Sequence, residues 1–299
     1  MADGGVCLGI CYADNQLFYA VNDPEHSGNL RHIGCFDFNF DVKHAIVSGQ
    51  AHSFSGIETS LSNLRDKYEC ETVRILSPAT EECWSVLTRS VYEETDEREA
   101  FISVLMNGVE RRSLQSTWFP LSNSELRMLL VRNSDAMNGF NHLLGSFKDA
   151  EYVAEFEIGK QWQHHTKISG SFLTVHCQKN YISVASYLLG KLRGCTIINF
   201  ENRTDLPYLW TLHGSTLSWM SGIHEQVYVY GQFAREASEV LNPIWDDTGE
   251  IILMNTLESM KVEAPERTYG FRLESAFPAV MMSLNLTEEK EGNYANHNG

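Results

Sequence analysis

The strongest constraint on the fold is an order of hydrophobic patterns that occurs twice along the chain of 299 residues. In its first occurrence, runs of alternating apolar residues are separated by short polar turns, which is typical of hairpin-linked strands. Apolar residues at helical spacing and a short apolar run then follow. The predicted elements are strands over 6–12, 17–21 and 31–38, a helix over 57–68 and a buried strand over 72–76.

The same order returns in the C-terminal half of the chain. Alternating runs on either side of Lys179 and Asn180 again predict a hairpin, which a third strand follows. The two halves share almost no residues, so what repeats is the order of elements, which favours a duplicated architecture with a cleft between its halves. The predicted strands cover 171–177, 181–189, 195–200, 226–230 and 250–254, and the predicted helices cover 206–220, 233–244 and 273–284.

The segment between the two repeats carries mixed patterns. Ser77 and Pro78 combine a capping residue with a proline suited to a first helical turn, so a helix is predicted to begin there. The polar run 122–125 forms a capping box before the apolar residues of 126–130, which predicts another helix. The segment 158–166 is ambiguous. Further predictions are helices over 95–106 and 137–147 and strands over 112–119 and 152–156.

Composition and charge limit the kinds of molecule that this protein can bind and the cellular compartment in which we expect it. The 39 acidic and 23 basic side chains give a net charge of −16, which disfavours binding to nucleic acid. No apolar run approaches the roughly 20 residues that span a bilayer, and an acidic residue lies where a signal peptide would be basic. The seven cysteines are odd in number and scattered, as in reduced proteins. We therefore expect a cytoplasmic protein without direct membrane insertion.

Each repeat has three hairpin-linked strands followed by alternating helices and strands. This order, which occurs twice in the chain, resembles the actin-like (ribonuclease H-like) α/β fold. Within that superfamily the chain is similar to PilM-like pilus-assembly proteins and to Bacteroidota proteins of similar length. The segments 6–10, 172–176 and 227–231 carry the resemblance and would be the two phosphate strands and the adenosine strand. The resemblance implies a first half over 1–168 with an inserted subdomain at about 95–166, a second half over 169–286 and a disordered tail over 287–299.

The resemblance also shows where the nucleotide motifs are missing. Active members place an aspartate and a glycine-rich turn at the end of each phosphate strand, where they organise Mg²⁺ and cradle phosphate oxygens. Here the first strand offers only Gly9 and Asp14, and the second runs into the bulky turn 178–180. Gly231 ends the adenosine strand, but Phe233 follows where relatives have a second glycine. We expect Gly9, Asp14 and Gly231 to be vestigial cofactor-binding positions, with no cofactor bound.

Other catalytic or metal-binding patterns are absent from the sequence. His164 and His165 are adjacent, and neighbouring side chains on a helix or strand point in different directions, so they do not predict a metal site. No nucleophile elbow, phosphate-binding loop or dinucleotide-binding glycine motif occurs. We therefore predict no catalytic residue and no metal.

These observations favour a non-catalytic actin-like scaffold or protein-interaction protein, linked through the resemblance to a pilus or secretion-type assembly. Two alternatives remain: a divergent ATP-binding member, and a regulatory module that holds a small ligand in the cleft. The resemblance implies a protein partner such as the cytoplasmic tail of a membrane protein, bound by the inserted subdomain. Arginine and aromatic side chains are frequent interface anchors. The candidate partner-binding residues are therefore Arg111, Arg112, Trp118 and Phe119, although alternation places at least one of the two aromatic rings in the subdomain's own core.

Overall fold

The computed structural model begins with a three-stranded meander, as predicted, and its fourth strand pairs parallel to the first. Ala13 pairs with Gln16, so Asp14 and Asn15 form a two-residue hairpin loop in which Asp14 has the left-handed φ of 48°. The structure describes residues 5–135, 137–145, 147, 149–245, 249–265 and 269–284. The first elements are β1 (Cys7–Ala13), β2 (Gln16–Asn22), β3 (Leu30–Asp37), α1 (Val42–Ser48), α2 (Ala51–Tyr68) and β4 (Thr72–Leu76).

An inserted unit with its own three-stranded antiparallel sheet follows β4. The strand order is β5-β7-β6, and the two helices pack on one face of the sheet. The elements are β5 (Glu82–Thr88), α3 (Arg89–Glu93), α4 (Thr95–Leu105), β6 (Leu114–Pro120) and β7 (Leu126–Asn133).

Two helix predictions in this region are wrong. The capping signal at Ser77 and Pro78 leads only into a single 3-10 turn at 79–81, after which the alternating residues of 82–88 form β5. The capping box at 122–125 precedes β7, the central strand of the inserted sheet. Because a central strand is buried on both faces, its apolar residues form a continuous run, and such a run also satisfies helical spacing.

The chain then returns to the first sheet and crosses to the second half. The elements are α5 (Asn138–Gly145), β8 (Ala150–Val153) and α6 (Ile158–Thr166), and the first sheet has the order β3-β2-β1-β4-β8. The sequence-based bounds of about 95–166 for the inserted subdomain therefore leave out β5, which pairs with β7, and include β8, which pairs with β4.

The second half repeats this arrangement. Its sheet has the order β11-β10-β9-β12-β13, which matches that of the first sheet strand for strand. The predicted duplicated α/β fold is thus confirmed; the predicted tail at 287–299 lies outside the described residues. The elements are β9 (Ser171–Cys177), β10 (Tyr181–Leu188), β11 (Lys191–Asn199), α7 (Leu206–Thr216), β12 (Gln226–Tyr230), α8 (Ala234–Trp245), β13 (Glu250–Leu253) and α9 (Leu273–Ser283).

The last helix of each half packs against the other half. Helix α6 contacts β9 and β10 of the second sheet, whereas α9 lies across β1, β2 and β4 of the first sheet. The two helices also contact each other, and every residue from Glu274 to Ser283 is buried. One of the hydrophobic core clusters therefore contains residues of both halves and holds them together.

Among the described residues, no helix combines the length and the apolar character needed to cross a membrane.

Candidate functional site

The candidate site is the cleft between the β1–β2 hairpin, the β9–β10 turn and the loop after β12. Gly9 lies in the middle of β1, directly beneath α9. A Cβ atom at this position would overlap the carbonyl oxygen of Ala279 and lie 2.7 Å from the backbone nitrogen of Ser283. The missing side chain therefore lets the backbone of α9 rest on the sheet.

Asp14 lies at the tip of the same hairpin. Its backbone carbonyl accepts a hydrogen bond from the N–H of Val42 at 2.7 Å, which joins the hairpin to the start of α1. Since a strand rises by roughly 3.3 Å per residue, Asp14 is about 16 Å along the strand from Gly9. The structure does not bring these two residues together.

Gly231 follows β12 and has a φ of 104°, which favours glycine. Its N–H donates to the carbonyl oxygen of Glu274 at 2.8 Å. A Cβ atom here would lie 2.5 Å from the carbonyl oxygen of Cys177 and 2.7 Å from the ring of His176. The backbone donor of Gly231 is thus already used by the chain's own α9.

The segment 269–275, which we call the cleft strap, crosses the cleft just before and within the first turn of α9. On the first half, the ring of Phe271 packs 5.6 Å from that of Phe18, centroid to centroid. The thiol of Cys11 donates to the carbonyl oxygen of Ser275 at 3.3 Å. The strap is thereby attached to β1 and β2.

On the second half, two arginine–glutamate pairs hold the cleft strap. Arg272 contacts the carboxylate of Glu236 at 2.7 Å and donates to the carbonyl oxygen of Gln232 at 3.2 Å. Arg235 donates to Glu274 at 2.5 Å, and the side chain of Glu274 is fully buried. The strap therefore joins both halves across the cleft.

A small cavity of about 340 Å³ remains beside the strap. Its wall includes the amides of Gln16 and Gln232 and the rings of Phe233 and Phe271. The side-chain oxygen Oε1 of Gln232 is buried and has no hydrogen-bond partner among the described residues. The volume is at the lower end of the range for ligand pockets. It suits a small molecule that offers a hydrogen-bond donor.

A buried polar cluster that the sequence analysis missed lies between the halves. Glu155 follows β8, is 2% exposed, and accepts hydrogen bonds from Tyr181 Oη at 2.6 Å and Ser183 Oγ at 2.5 Å. The Nδ1 atom of His176 lies 2.8 Å from its carboxylate. The sequence does contain a signal for this cluster, because Glu155 is a charged residue between apolar neighbours in the predicted strand 152–156.

The electrostatics of this cluster favour a charged carboxylate. Burial by itself raises the pKa of Glu155, but the neighbouring His176 and the hydroxyl donors of Ser183 and Tyr181 outweigh it, and the net pKa is lowered. Both carboxylate oxygens are used by protein groups. The arrangement therefore connects the first half to β9 and β10 of the second half.

The four predicted partner-binding residues lie in the inserted unit but differ in exposure. The side chains of Arg111 and Arg112 are 69% and 83% exposed, and they pair with the surface carboxylates of Glu99 and Glu110. Such exposed pairs contribute little to stability. Both guanidinium groups are therefore accessible to a partner.

Trp118 and Phe119 are half-buried on opposite faces of β6. Trp118 packs beneath the helices of the inserted unit, with its ring 4.8 Å from that of Tyr92. Phe119 faces the main body, and its ring meets Phe156 edge-on at 5.0 Å. Both rings thus contribute to packing, and the structure separates them from each other.

The adjacent histidines His164 and His165 lie near the end of α6. His165 Nε2 lies 2.8 Å from the carbonyl oxygen of Lys261, and burial lowers the pKa of His165. In the parts of the chain that the structure describes, no group of three or more His, Cys, Asp or Glu side chains could hold a metal ion.

Comparisons by sequence find no matching family model and no matching curated protein. Solved structures match over almost the whole chain. A structure of the PilM–PilN type IV pilus biogenesis complex superposes with a TM-score of 0.64 at 10% identity, covering 93% of this chain and 97% of that chain. A Bacteroides thetaiotaomicron protein with an actin-like ATPase fold and unknown function gives a TM-score of 0.50 at 11% identity, covering 84% and 91%. This chain has the actin-like ATPase fold.

The actin-like fold by itself does not decide whether this chain is an enzyme. An inorganic polyphosphate/ATP-glucomannokinase from Arthrobacter sp. matches with a TM-score of 0.51 at 12% identity, covering 95% of this chain and 98% of that chain. The same architecture therefore occurs in a kinase and in a pilus biogenesis complex. The function therefore has to be inferred from the residues of the cleft and not from the fold.

Proposed function

We propose that this protein is a non-catalytic actin-like scaffold that binds a protein partner in a pilus- or secretion-type assembly. The observation that carries the proposal is the cleft strap. Arg272 and Glu274 tie the strap to the second half, and Phe271 packs it on the first. Opening and closing around Mg·ATP would require these contacts to break, and the carboxylates of Glu236 and Glu274 are already paired with Arg272 and Arg235.

The inserted unit supports a partner-binding role. It extends from the first half and carries two accessible guanidinium groups on Arg111 and Arg112. Guanidinium groups recognise carboxylates and backbone carbonyls with directed hydrogen bonds. The likeness to the PilM–PilN type IV pilus biogenesis complex favours a protein partner. We propose that this partner is a cytoplasmic tail of a membrane protein, bound as an extended peptide.

We expect the double variant Arg111→Glu, Arg112→Glu to lose its partners in a pull-down from native lysate. The two side chains are exposed, so the change should alter stability by no more than about 0.5 kcal/mol while it reverses the local charge. The matched control is Lys67→Glu, Lys191→Glu, which makes the same charge change at two exposed sites elsewhere. Equal recovery by wild type and both variants, or no specific partner for any of them, contradicts the proposed surface.

A second candidate function is a regulatory module that holds a small ligand in the cleft. The cavity beside the strap and the unpartnered Oε1 atom of Gln232 favour it. A buried acceptor without a donor costs free energy, which a ligand donor would recover. This role is compatible with the scaffold role, since the ligand would bind to the closed cleft.

A further inference from the structure

An open groove lies on the second half, at the end of the β10–β11 ladder where Tyr181 pairs with Asn199. It has a volume of about 670 Å³ and lies between Asn180 of the β9–β10 turn and the first turns of α7. The ring of Phe200 lines the groove and is only 8% exposed. The groove is distinct from the cavity beside the strap, because the two share no lining residue.

One wall of the groove is an apolar helix face. Tyr208 of α7 lines the groove and is 68% exposed, and Leu212, one turn further along the helix, is 47% exposed. Residues four apart lie on the same side of a helix. An aromatic ring at the groove and an aliphatic side chain one turn beyond it therefore lie on the same exposed side of α7.

The polar lining of the groove is acidic. Glu201 and Asp205 both line it, both are exposed, and neither carboxylate has an ion-pair or hydrogen-bond partner among the residues that the structure describes. The nearest cation in sequence, Arg203, stacks 4.2 Å from the centroid of the Phe233 ring. Lys179, in the adjoining turn, does not line the groove. The groove thus presents two unpaired negative charges beside an aromatic ring.

We propose that this groove binds a positively charged, extended segment of a partner protein. An arginine side chain fits it best, since its planar guanidinium can stack on Tyr208 while it pairs with Asp205 or Glu201. The side-chain amides of Asn180 and Asn199 line the same groove and can hydrogen-bond the backbone of an extended peptide.

This inference rests on the proposed protein partner and goes beyond that proposal by adding a second contact surface, on the second half, to the one proposed on the inserted unit. Segments that flank a membrane span on its cytoplasmic side are rich in Lys and Arg, so the tail of a membrane protein has the required charge. A second copy of this chain is a poorer occupant, because the chain carries a net charge of −16 and two copies repel each other.

The test uses a fluorescent peptide of about ten residues that alternates Arg and Leu, titrated with the 299-residue protein and followed by anisotropy. We expect Glu201→Gln, Asp205→Asn to raise the Kd about tenfold, since two charge-assisted contacts are removed. Tyr208→Ala should weaken binding as well. The matched control, Glu239→Gln, Glu258→Gln, removes two exposed acidic charges of the same half and should leave the Kd unchanged.

Three results would contradict the proposal that this groove binds a basic segment of a partner. The first is a wild-type Kd above about 1 mM, the range of non-specific contact. The second is an equal loss of affinity in the groove variant and the control variant, because that would report overall charge alone. The third is a wild-type dimer that the groove variant converts to a monomer in sedimentation, which would assign the groove to a second copy. The scaffold role itself is judged separately by the pull-down with Arg111 and Arg112.

Discussion

Replacement of Gly9 with alanine is expected to lower the free energy of unfolding by about 3 kcal/mol, as overpacking against a rigid neighbour does. The added Cβ would overlap the carbonyl oxygen of Ala279 and crowd the backbone nitrogen of Ser283. Both atoms belong to the helix backbone, so they cannot move aside as the end of a side chain could. Helix α9, which joins the halves, would have to lift from β1.

Chemical denaturation of the Gly9→Ala variant measures this effect. The matched control is Gly56→Ala in α2, where the nearest atom to the new Cβ is Phe38 Cε1 at 4.0 Å. Alanine in an open helical position should raise stability by about 0.4–1 kcal/mol. If Gly9→Ala is as stable as wild type, Gly9 has free space above it, as an open phosphate site would provide, and our description of this position is wrong.

Removal of the buried carboxylate in Glu155→Ala should cost about 3–5 kcal/mol. The variant leaves Tyr181, Ser183 and His176 without the oxygens that they contact at 2.5–2.8 Å in the interior. The control is Glu151→Ala in β8, whose side chain is 52% exposed and pairs with Arg74. Loss of that surface pair should cost less than about 1 kcal/mol.

The cost of Glu155→Ala should also depend on pH. Because the pKa of Glu155 is lowered in the folded protein, its stabilising contribution is present above the pKa of an unfolded glutamate, about 4.3. That contribution is lost as the pH falls through the lower folded pKa. The stability difference between wild type and variant, measured by urea denaturation, should therefore be full at neutral pH and shrink in strong acid. A difference that is constant, or that grows in acid, would contradict the charged state assigned to Glu155.

The duplicated fold could be predicted from sequence because each repeat begins with alternating strands. The runs at 6–12 and 171–177 have the period of a strand, and tight turns follow them. Local patterns gave the wrong element at β5 and β7, because the capping residues at Ser77 and at 122–125 promote a turn whether or not a helix continues. Whether the next residues form a helix is decided by pairing within the inserted sheet.

The candidate site was only partly predictable. The sequence pointed to Gly9, Asp14 and Gly231, and the structure gives each of them a role in turn geometry or packing; that they are vestigial nucleotide positions stays a prediction. The cleft strap could not be predicted, since 269–275 reaches β1 and the loop after β12 only through long-range contacts. Local periodicity does not contain that information.

The most direct test of a strap-filled, non-catalytic cleft is thermal unfolding with increasing Mg·ATP. A ligand that binds the folded state with a Kd of about 10 μM contributes about 2.7 kcal/mol at a hundredfold excess over Kd, which raises the Tm by several degrees. We predict no magnesium-dependent change in Tm at millimolar ATP. A magnesium-dependent rise of several degrees would show that the cleft admits nucleotide and would contradict the account.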